Sequence, residues 1–246
     1  SDHWTYNLDL IESYLKIYPE KEKDLLFDGS YTWFLSQAAV NPRRKRYTKT
    51  PNGIRQYHSL NEESRRNTSE KLVRGAYGKG EIIYSTLLEK LLTLCVTKFA
   101  ALDAYGMGVE MEGGKPGWYD ALNGLPGLLG SSMAETYELG RMLAYTLSVL
   151  EKYPGKYTML EETAVFMEQV AETVREEKAS LLRDNEVAGY WNKVCDIKEA
   201  YWEKVYDGVS GNTAEKESGK LAAILELFLE IVQTGIEKAC AMEDGI

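Results

Sequence analysis

Apolar side chains recur at helical spacing along most of the chain. Near the N-terminal end, Leu8, Ile11, Leu15 and Tyr18 follow one another at intervals of three or four residues, which predicts an amphipathic helix that Pro19 ends. Spacing of the same kind predicts five further helices, over residues 81–104, 131–153, 160–181, 186–206 and 221–240. The sequence contains no run of alternating β-branched residues bounded by turns. The predicted fold class is therefore all-α.

The helix predicted near residue 131 has signals at both ends. Ser131-Ser132 supplies an N-cap, and Glu135 follows at the spacing of a capping box, in which a serine and a glutamate satisfy each other's backbone N–H groups. Pro154-Gly155 stops the helix at its other end. We therefore expect a structural role for Glu135.

Residues 19–68 show little regular pattern and hold two aromatic groups, Tyr31-Thr32-Trp33-Phe34 and Tyr57-His58. A segment of this length without pattern inside a compact domain is usually functional or disordered, and the aromatic content argues against disorder. We interpret residues 19–68 as an aromatic-rich loop layer folded over another part of the structure.

The helices are separated by short turns, which is typical of antiparallel helical hairpins. We expect residues 1–246 to form a single α-helical domain. The sequence starts without an initiator Met, in a segment that contains Trp and Tyr, and it ends just past an apolar helix. We interpret it as a fragment of a larger catalytic domain, in which uncovered apolar helix faces would favour self-association.

Charge changes the picture by excluding classes of partner. The chain has 38 Asp or Glu against 29 Lys or Arg, a formal net charge of −9. Sequence-independent binding to nucleic acids or anionic membranes needs a concentrated basic face, and the single cluster Arg43-Arg44-Lys45-Arg46 is too short to supply one. No apolar stretch reaches the roughly 18–20 residues of a membrane-spanning helix. We expect neither a nucleic acid nor a membrane as partner.

The three cysteines, Cys95, Cys195 and Cys240, lie far apart, and each falls inside an apolar helical pattern. This arrangement predicts buried free thiols in a reducing cytoplasm. The chain has only two histidines, so we expect no metal site.

Aromatic usage favours rings that carry a polar group, with 17 Tyr and 5 Trp against 5 Phe. Such residues are common in clefts that bind sugars, where a ring stacks on the apolar face of a pyranose. Composition alone favours the simpler interpretation, in which Tyr packs at helix interfaces with its hydroxyl group in water. Trp4, Tyr31, Trp33 and Tyr57 are candidate platforms because they fall in loop-like sequence. By contrast, we assign Trp191 and Trp202 to helix packing.

The segment that points most clearly to chemistry is residues 105–130, a glycine-rich loop that holds eight of the 21 glycines. Glycine at this density lets the backbone approach a ligand closely. The loop contains Trp118-Tyr119-Asp120, with Glu110 and Glu112 upstream. A ring to stack on beside a carboxyl group is what the cleavage of a glycosidic bond requires. A phosphate-binding loop is excluded because Gly-Lys is nowhere followed by Ser or Thr in the glycine clusters.

The segment Gly117-Trp118-Tyr119-Asp120-Ala121-Leu122-Asn123, followed by Gly130-Ser131-Ser132-Met133-Ala134-Glu135-Thr136, resembles the cellobiose phosphorylase family. That family has an Asp-Trp-Asn-Asp-Gly-Met-Asn motif, then a glycine-rich turn and Glu-Ser at the start of a helix. Asp2-His3-Trp4 is similar to the family's Asp-Asp-His-Leu-Trp segment, which lies upstream of the motif in the same order. The resemblance covers about forty residues.

The resemblance implies a catalytic domain of the (α/α)6 toroid type, of which this chain would form an incomplete part. It implies Asp120 as the general acid, Trp118 beside it in the sugar cleft, and Asp2 as a ligand of sugar hydroxyls. Tyr119 and Asn123 belong to the same motif and are further candidate binding residues, together with Trp4 and Trp33.

The sequence also departs from the family pattern. Gly117 replaces the first Asp of the motif, Tyr119 replaces its Asn, and Ala121-Leu122 replaces Gly-Met. No convincing match to the family's phosphate-contacting segment is found. These departures weaken the case for phosphorolysis more than the case for fold and acid.

Three functions follow as hypotheses. The first is an inverting, phosphorylase-like enzyme that acts on an oligosaccharide with inorganic phosphate as co-substrate and no other cofactor. The second is an inverting glycoside hydrolase, in which Glu110 or Glu112 would serve as the second carboxylate that activates water. The third is a non-catalytic helical module that binds carbohydrate or protein through the aromatic loop layer, with Asp120 as a vestigial acid. Taken by itself, Asp120 could equally be the N-cap of a short helical segment over residues 121–129.

Overall fold

The computed structural model describes residues 2–35, 40–55, 58–61, 70–111, 130–183 and 187–243. This part of the chain is predominantly helical, which confirms the helical prediction. Its nine helices are α1 (Tyr6–Ile17), α2 (Glu22–Phe27), α3 (Arg43–Arg46), α4 (Gly75–Gly78), α5 (Leu87–Phe99), α6 (Met133–Lys152), α7 (Glu161–Arg183), α8 (Ala188–Val205) and α9 (Ser218–Glu243).

Short strands accompany the helices, and the sequence did not predict these strands. In the described ranges they form four two-stranded antiparallel pairs: β1 (Tyr31–Thr32) with β4 (Tyr84–Ser85), β2 (Thr48–Thr50) with β3 (Gly53–Arg55), β5 (Val109–Glu110) with β6 (Ser131–Ser132), and β7 (Lys156–Leu160) with β8 (Thr213–Glu217). In the longest pair, Lys156 lies opposite Glu217 and Leu160 opposite Thr213. The polar sequence Thr-Ala-Glu-Lys-Glu of β8 carries no alternating β-branched pattern, so it gave no signal.

The helix predicted over residues 81–104 is shorter than expected. It begins only at Leu87, because Thr86 is extended and its side-chain oxygen caps the helix by accepting the backbone N–H of Glu89 at 3.1 Å. Tyr84 and Ser85 belong to strand β4 instead. The other predicted helices agree with the structure to within three residues at each end.

The core lies where α5, α6, α7 and α9 meet. The rings of Phe99 and Phe228 stack with their centroids 3.9 Å apart, which joins α5 to α9. Phe166 stacks on Tyr201 in the same way at 4.4 Å and joins α7 to α8. Burial of these rings removes apolar surface from water and stabilises both helix pairs.

The four-residue helix α4 is hydrogen-bonded to the segment that follows α8. The backbone N–H groups of Ala76 and Tyr77 donate to the carbonyls of Ser210 and Val209, respectively. Ala76 and Tyr77 both adopt a left-handed backbone conformation, which residues other than glycine rarely take. Gly208 has a φ of +131°, and a Cβ there would lie 2.5 Å from the carbonyl oxygen of Arg74. Only glycine fits this close approach.

All three cysteines are free, as predicted, and Cys95 and Cys195 are buried. Cys240 differs from the prediction because it lies on an outward-facing part of α9 and is exposed. Among the helices that the structure describes, none is long and apolar enough to cross a membrane.

Candidate functional site

A cavity of about 1260 Å³ lies between the loop layer and helix α8. The loop layer contributes residues 33–35, 40–45, 47 and 61, and α8 contributes residues between Trp191 and Val205. The walls combine aromatic rings with acidic and amide side chains: Trp33, Phe34, Tyr47, Trp191, Tyr201, Trp202 and Tyr206, with Asn41, Asn192, Asp196, Glu199, Glu203 and Asp207. The described part of the loop layer therefore lines a cavity, and it also contains helices α2 and α3 and strands β1 to β3.

Two tryptophans that the sequence assigned to packing are part of this cavity. Trp191 and Trp202 both line it and both stay partly exposed. Both rings also pack, Trp191 against Arg43 and Trp202 against Lys198, so the assignment to packing omitted their second contact, with the cavity. The spacing of 11 residues between Trp191 and Trp202, three turns of helix, was the signal that could have shown that they share a face.

Arg43 fixes the loop layer to α8. Its backbone N–H donates to Oε1 of Glu199 at 2.8 Å, and its guanidinium donates to Oδ1 of Asn192 at 2.8 Å and to Asp196. The guanidinium also lies over the ring of Trp191, 4.9 Å from its centroid. The basic cluster Arg43–Arg46, which the sequence analysis treated only as a short charged patch, therefore attaches the loop layer to α8.

Glu110 lies next to the cavity wall, at the end of strand β5. Nε1 of Trp191 donates a hydrogen bond of 2.7 Å to Oε1 of Glu110, so the carboxyl group is held against a ring that lines the cavity. The backbone N–H of Glu110 donates to the carbonyl of Ala101 at 2.6 Å, which fixes the strand. Of the two predicted candidates for a second catalytic carboxylate, Glu110 is the one within the described residues.

Burial raises the pKa of the Glu110 carboxyl above the usual range for glutamate. The positive charge of Lys198 and the hydrogen bond from Trp191 oppose this rise, while the negative charge of Asp103 adds to it. A carboxyl group with a raised pKa is a stronger base when ionised and can hold a proton closer to neutral pH.

Asp103 organises the start of the glycine-rich loop. Its Oδ1 accepts the backbone N–H groups of Tyr105 and Met107, and its Oδ2 accepts the N–H of Gly108 at 3.0 Å and the hydroxyl of Ser131 at 2.6 Å. One carboxylate therefore shapes the turn that leads to Glu110. The sequence analysis did not single out Asp103, although an Asp followed by glycines is a common turn signal.

Both ends of the glycine-rich loop are pinned at the same place. Glu110 pairs with Ser131 across β5 and β6, and the N–H of Met111 donates to the carbonyl of Gly130 at 3.1 Å. The predicted residues Glu112, Trp118, Tyr119, Asp120 and Asn123 lie outside the described residues.

Trp4 does not lie in the cavity. Its side chain is buried in the core with 7% exposure, and Nε1 donates to Oε2 of Glu135 at 2.9 Å. A role as a sugar platform does not fit this burial, so the structure corrects that prediction. The backbone of Asp2 forms a short 3-10 helix with Trp4.

Glu135 has the structural role that the sequence predicted, with a different partner. Its backbone N–H donates to the side chain of Ser132 at 3.2 Å, as in a capping box. Its carboxylate, however, accepts from Trp4 and from Nζ of Lys98 at 3.3 Å. Glu135 thereby joins the N-terminal segment to α5 and α6.

The other predicted stacking residues, Trp33, Tyr31 and Tyr57, differ in their position relative to the cavity. Trp33 lines the cavity, and Nζ of Lys90 lies 4.4 Å from its ring centroid. Tyr31 belongs to β1 and donates its hydroxyl to the carbonyl of Leu25 at 3.3 Å, away from the cavity lining. Tyr57 lies outside the described residues.

Lys198 is a further residue that the sequence analysis missed. It is only 5% exposed, and its ammonium group lies 5.4 Å from the ring centroid of Trp202 while also acting on Glu110. A buried lysine within a charged helix gives no sequence signal, because Lys is the commonest kind of solvated residue on such helices.

Within the described residues, no three His, Cys, Asp or Glu side chains lie together as they would to bind a metal ion. The chain matches no protein-family model. It also has no significant match among curated protein sequences.

Proposed function

We propose that the cavity binds an oligosaccharide and that the protein cleaves a glycosidic bond with inversion, with Asp120 as general acid. The observation that carries this proposal is the unit formed by Trp191 and Glu110, an indole ring on the cavity wall that is hydrogen-bonded to a buried carboxyl group at 2.7 Å. Aromatic rings for stacking and carboxyl groups for proton transfer are the two requirements of glycoside cleavage.

The cavity suits a neutral ligand with many hydroxyl groups. Indole rings stack on the apolar faces of sugars, and carboxylate and amide oxygens such as those of Asp196, Asn192 and Glu203 accept hydrogen bonds from hydroxyl groups. A volume of about 1260 Å³ exceeds the range of about 300–1000 Å³ that is usual for small-ligand pockets. Such a volume supports a ligand of more than one sugar unit.

In the phosphorolysis that we favour, Asp120 gives its proton to the glycosidic oxygen as the carbon–oxygen bond breaks. An oxygen of inorganic phosphate then forms the new bond to the anomeric carbon from the opposite face, and the products are a sugar phosphate and the shortened saccharide. Arg44 and Lys45 support this choice, because both line the cavity and neither forms an ion pair with a carboxylate within the described residues.

Hydrolysis is the second candidate, and Glu110 favours it. A water molecule would attack the anomeric carbon and pass a proton to Glu110 while Asp120 protonates the leaving oxygen. The raised pKa of the Glu110 carboxyl suits a group that accepts a proton during the reaction. In phosphorolysis no such base is needed, because phosphate is already an anion.

The arrangement of the helix pairs around the cavity bears on the overall fold. We propose that the helix pairs around the cavity are part of an (α/α)6 toroid, as the resemblance in sequence implies. The supporting observation is that the cavity lies between a loop layer and paired helices, here α7 and α8.

The test uses the full protein with β-linked gluco-oligosaccharides, with and without phosphate. Phosphorolysis predicts the release of sugar phosphate only when phosphate is present, and Asp120→Asn abolishes it. Hydrolysis predicts release of reducing sugar without phosphate and its loss in Glu110→Gln. Glu151→Gln, an exposed carboxylate on α6, controls for the loss of one charge. Sugar binding without any product, unchanged by Asp120→Asn, would support the non-catalytic module instead.

A further inference from the structure

Arg43 has more polar contacts with α8 than a simple surface ion pair requires. Glu199 accepts from both its backbone N–H at 2.8 Å and its Nε at 3.3 Å. Nη1 donates to Oδ1 of Asn192, and Nη2 donates to the carbonyl of Asn192 and to the carboxylate of Asp196. The side chain is only 16% exposed. A planar guanidinium can satisfy this set of acceptors at once, whereas an ammonium group cannot.

The same guanidinium contacts the ring of Trp191, so the indole is held on two sides. One face lies against Arg43, 4.9 Å from the guanidinium carbon to the ring centroid. On its edge, Nε1 donates to Oε1 of Glu110 at 2.7 Å. Rotation of the indole would break the hydrogen bond to Glu110, and the guanidinium over its face opposes that rotation.

We propose that Arg43 is a positioning residue, which stacks on Trp191 and thereby holds the indole N–H against the Glu110 carboxyl group. The loop layer, the cavity wall and the buried carboxyl group are then coupled through one arginine. Its importance for catalysis rests on the proposed function, but the coupling itself does not.

A direct effect of the Arg43 charge on Glu110 does not explain the arrangement. The charged groups that act on the Glu110 carboxyl are Lys198, Asp103 and Arg46, and Trp191 acts through its hydrogen bond. Arg43 therefore reaches Glu110 through the indole. Arg43→Lys keeps the positive charge while it removes the planar group, so it separates the two effects.

The test follows the indole N–H resonances of the protein by NMR as a function of pH, without any ligand. Trp191→Phe assigns the Trp191 resonance, and Glu110→Gln identifies its titration with Glu110. In Arg43→Lys we expect the resonance to move and the midpoint of its titration to rise by roughly half a pH unit, because a weakened hydrogen bond no longer favours the ionised carboxylate. Arg55→Lys, an exposed arginine of the same loop layer, should leave both unchanged.

An unchanged Trp191 resonance and titration in folded Arg43→Lys would overturn the inference. If Arg43→Lys fails to fold, Asp196→Asn takes its place, because it weakens the docking of the Arg43 guanidinium without changing Arg43 itself, and a change in the same direction is expected. The second measurement is the activity of the full protein on oligosaccharide. A lower kcat with a shifted pH profile in Arg43→Lys supports the role in catalysis, whereas an altered resonance in a protein without activity supports the coupling and counts against the proposed function.

Discussion

Gly235 of α9 packs directly against the carbonyl group of Gly106, at the start of the glycine-rich loop. A Cβ at Gly235 would overlap the oxygen of Gly106 and lie 3.2 Å from Cα of Met107. The helix can approach the loop only because residue 235 has no side chain. The position of the segment that leads to Glu110 therefore depends on a glycine 125 residues further along the chain.

This contact predicts opposite effects of the same substitution at two positions of α9. Gly235→Ala should lower the free energy of unfolding by about 2–4 kcal/mol, because the backbone of the loop must move. Gly219→Ala, near the start of the same helix and with nothing within 4 Å of the added Cβ, should raise it by about 0.4–1 kcal/mol. Urea unfolding measures both, and equal effects would show that the close approach has no energetic importance.

The contact of Trp4 with Glu135 predicts a large contribution to stability. Glu135 is 5% exposed and its carboxylate also accepts from Lys98, so its removal leaves an indole N–H and an ammonium group without their acceptor. We expect Glu135→Ala to lower the free energy of unfolding by about 2–4 kcal/mol. The loss is not larger because the ammonium group of Lys98 stays partly hydrated. Glu151→Gln on the same helix is the control and should change stability by less than about 0.5 kcal/mol. A loss no larger than that of the control would mean that the contacts among Trp4, Glu135 and Lys98 do not contribute to the free energy of unfolding.

Glu89 predicts a dependence of stability on pH. Its carboxylate accepts the hydroxyl of Ser85 at 2.7 Å and the backbone N–H of Leu160 at 2.6 Å, and burial nevertheless raises the pKa of the Glu89 carboxyl. The folded protein thus binds the proton more tightly than the unfolded chain. The contribution of Glu89 to stability is then full below the ordinary glutamate pKa of about 4.3 and falls as pH rises through the raised value.

The measurement is urea unfolding of the wild type and Glu89→Gln at several values between about pH 4 and pH 7. Glutamine keeps a carbonyl oxygen for the Leu160 N–H and does not ionise. We expect the variant to gain stability relative to the wild type as pH rises. A difference that stays constant over this range would contradict the raised pKa.

The sequence predicted the helices well and the site only in part, for physical reasons that particular residues show. Burial of Leu8 and Ile11 repeats at helical spacing, so α1 was found almost to the residue. Strand β8 has no apolar stripe and forms only because β7 supplies partners for its backbone. Such long-range pairing is absent from any local pattern.

The tryptophans show the same limit at the site. Trp4 falls in loop-like sequence and yet is in the core, whereas Trp202 falls in a charged helix and yet lines the cavity. Local sequence records whether a segment is helical, but not which neighbour covers a ring. That depends on where the loop layer docks, and Arg43 makes this contact with residues about 150 positions away in sequence.

Because Trp4 lies in the core and Trp202 lines the cavity, we expect substitution of Trp202 to affect ligand binding and substitution of Trp4 to affect stability. Trp202→Ala should weaken binding of an oligosaccharide by roughly tenfold, because stacking of a ring contributes about 1–1.5 kcal/mol beyond simple burial. Trp4→Phe should instead leave the affinity unchanged and lower the free energy of unfolding by about 1–3 kcal/mol, since the hydrogen bond to buried Glu135 is lost. Calorimetric titration with a series of β-linked gluco-oligosaccharides gives the affinities, and urea unfolding of the same samples gives the stabilities. If Trp4→Phe weakened binding as much as Trp202→Ala, the sugar would not lie in the cavity beside α8. If neither variant changed the affinity of a ligand that the wild type binds, the cavity would have no part in recognition.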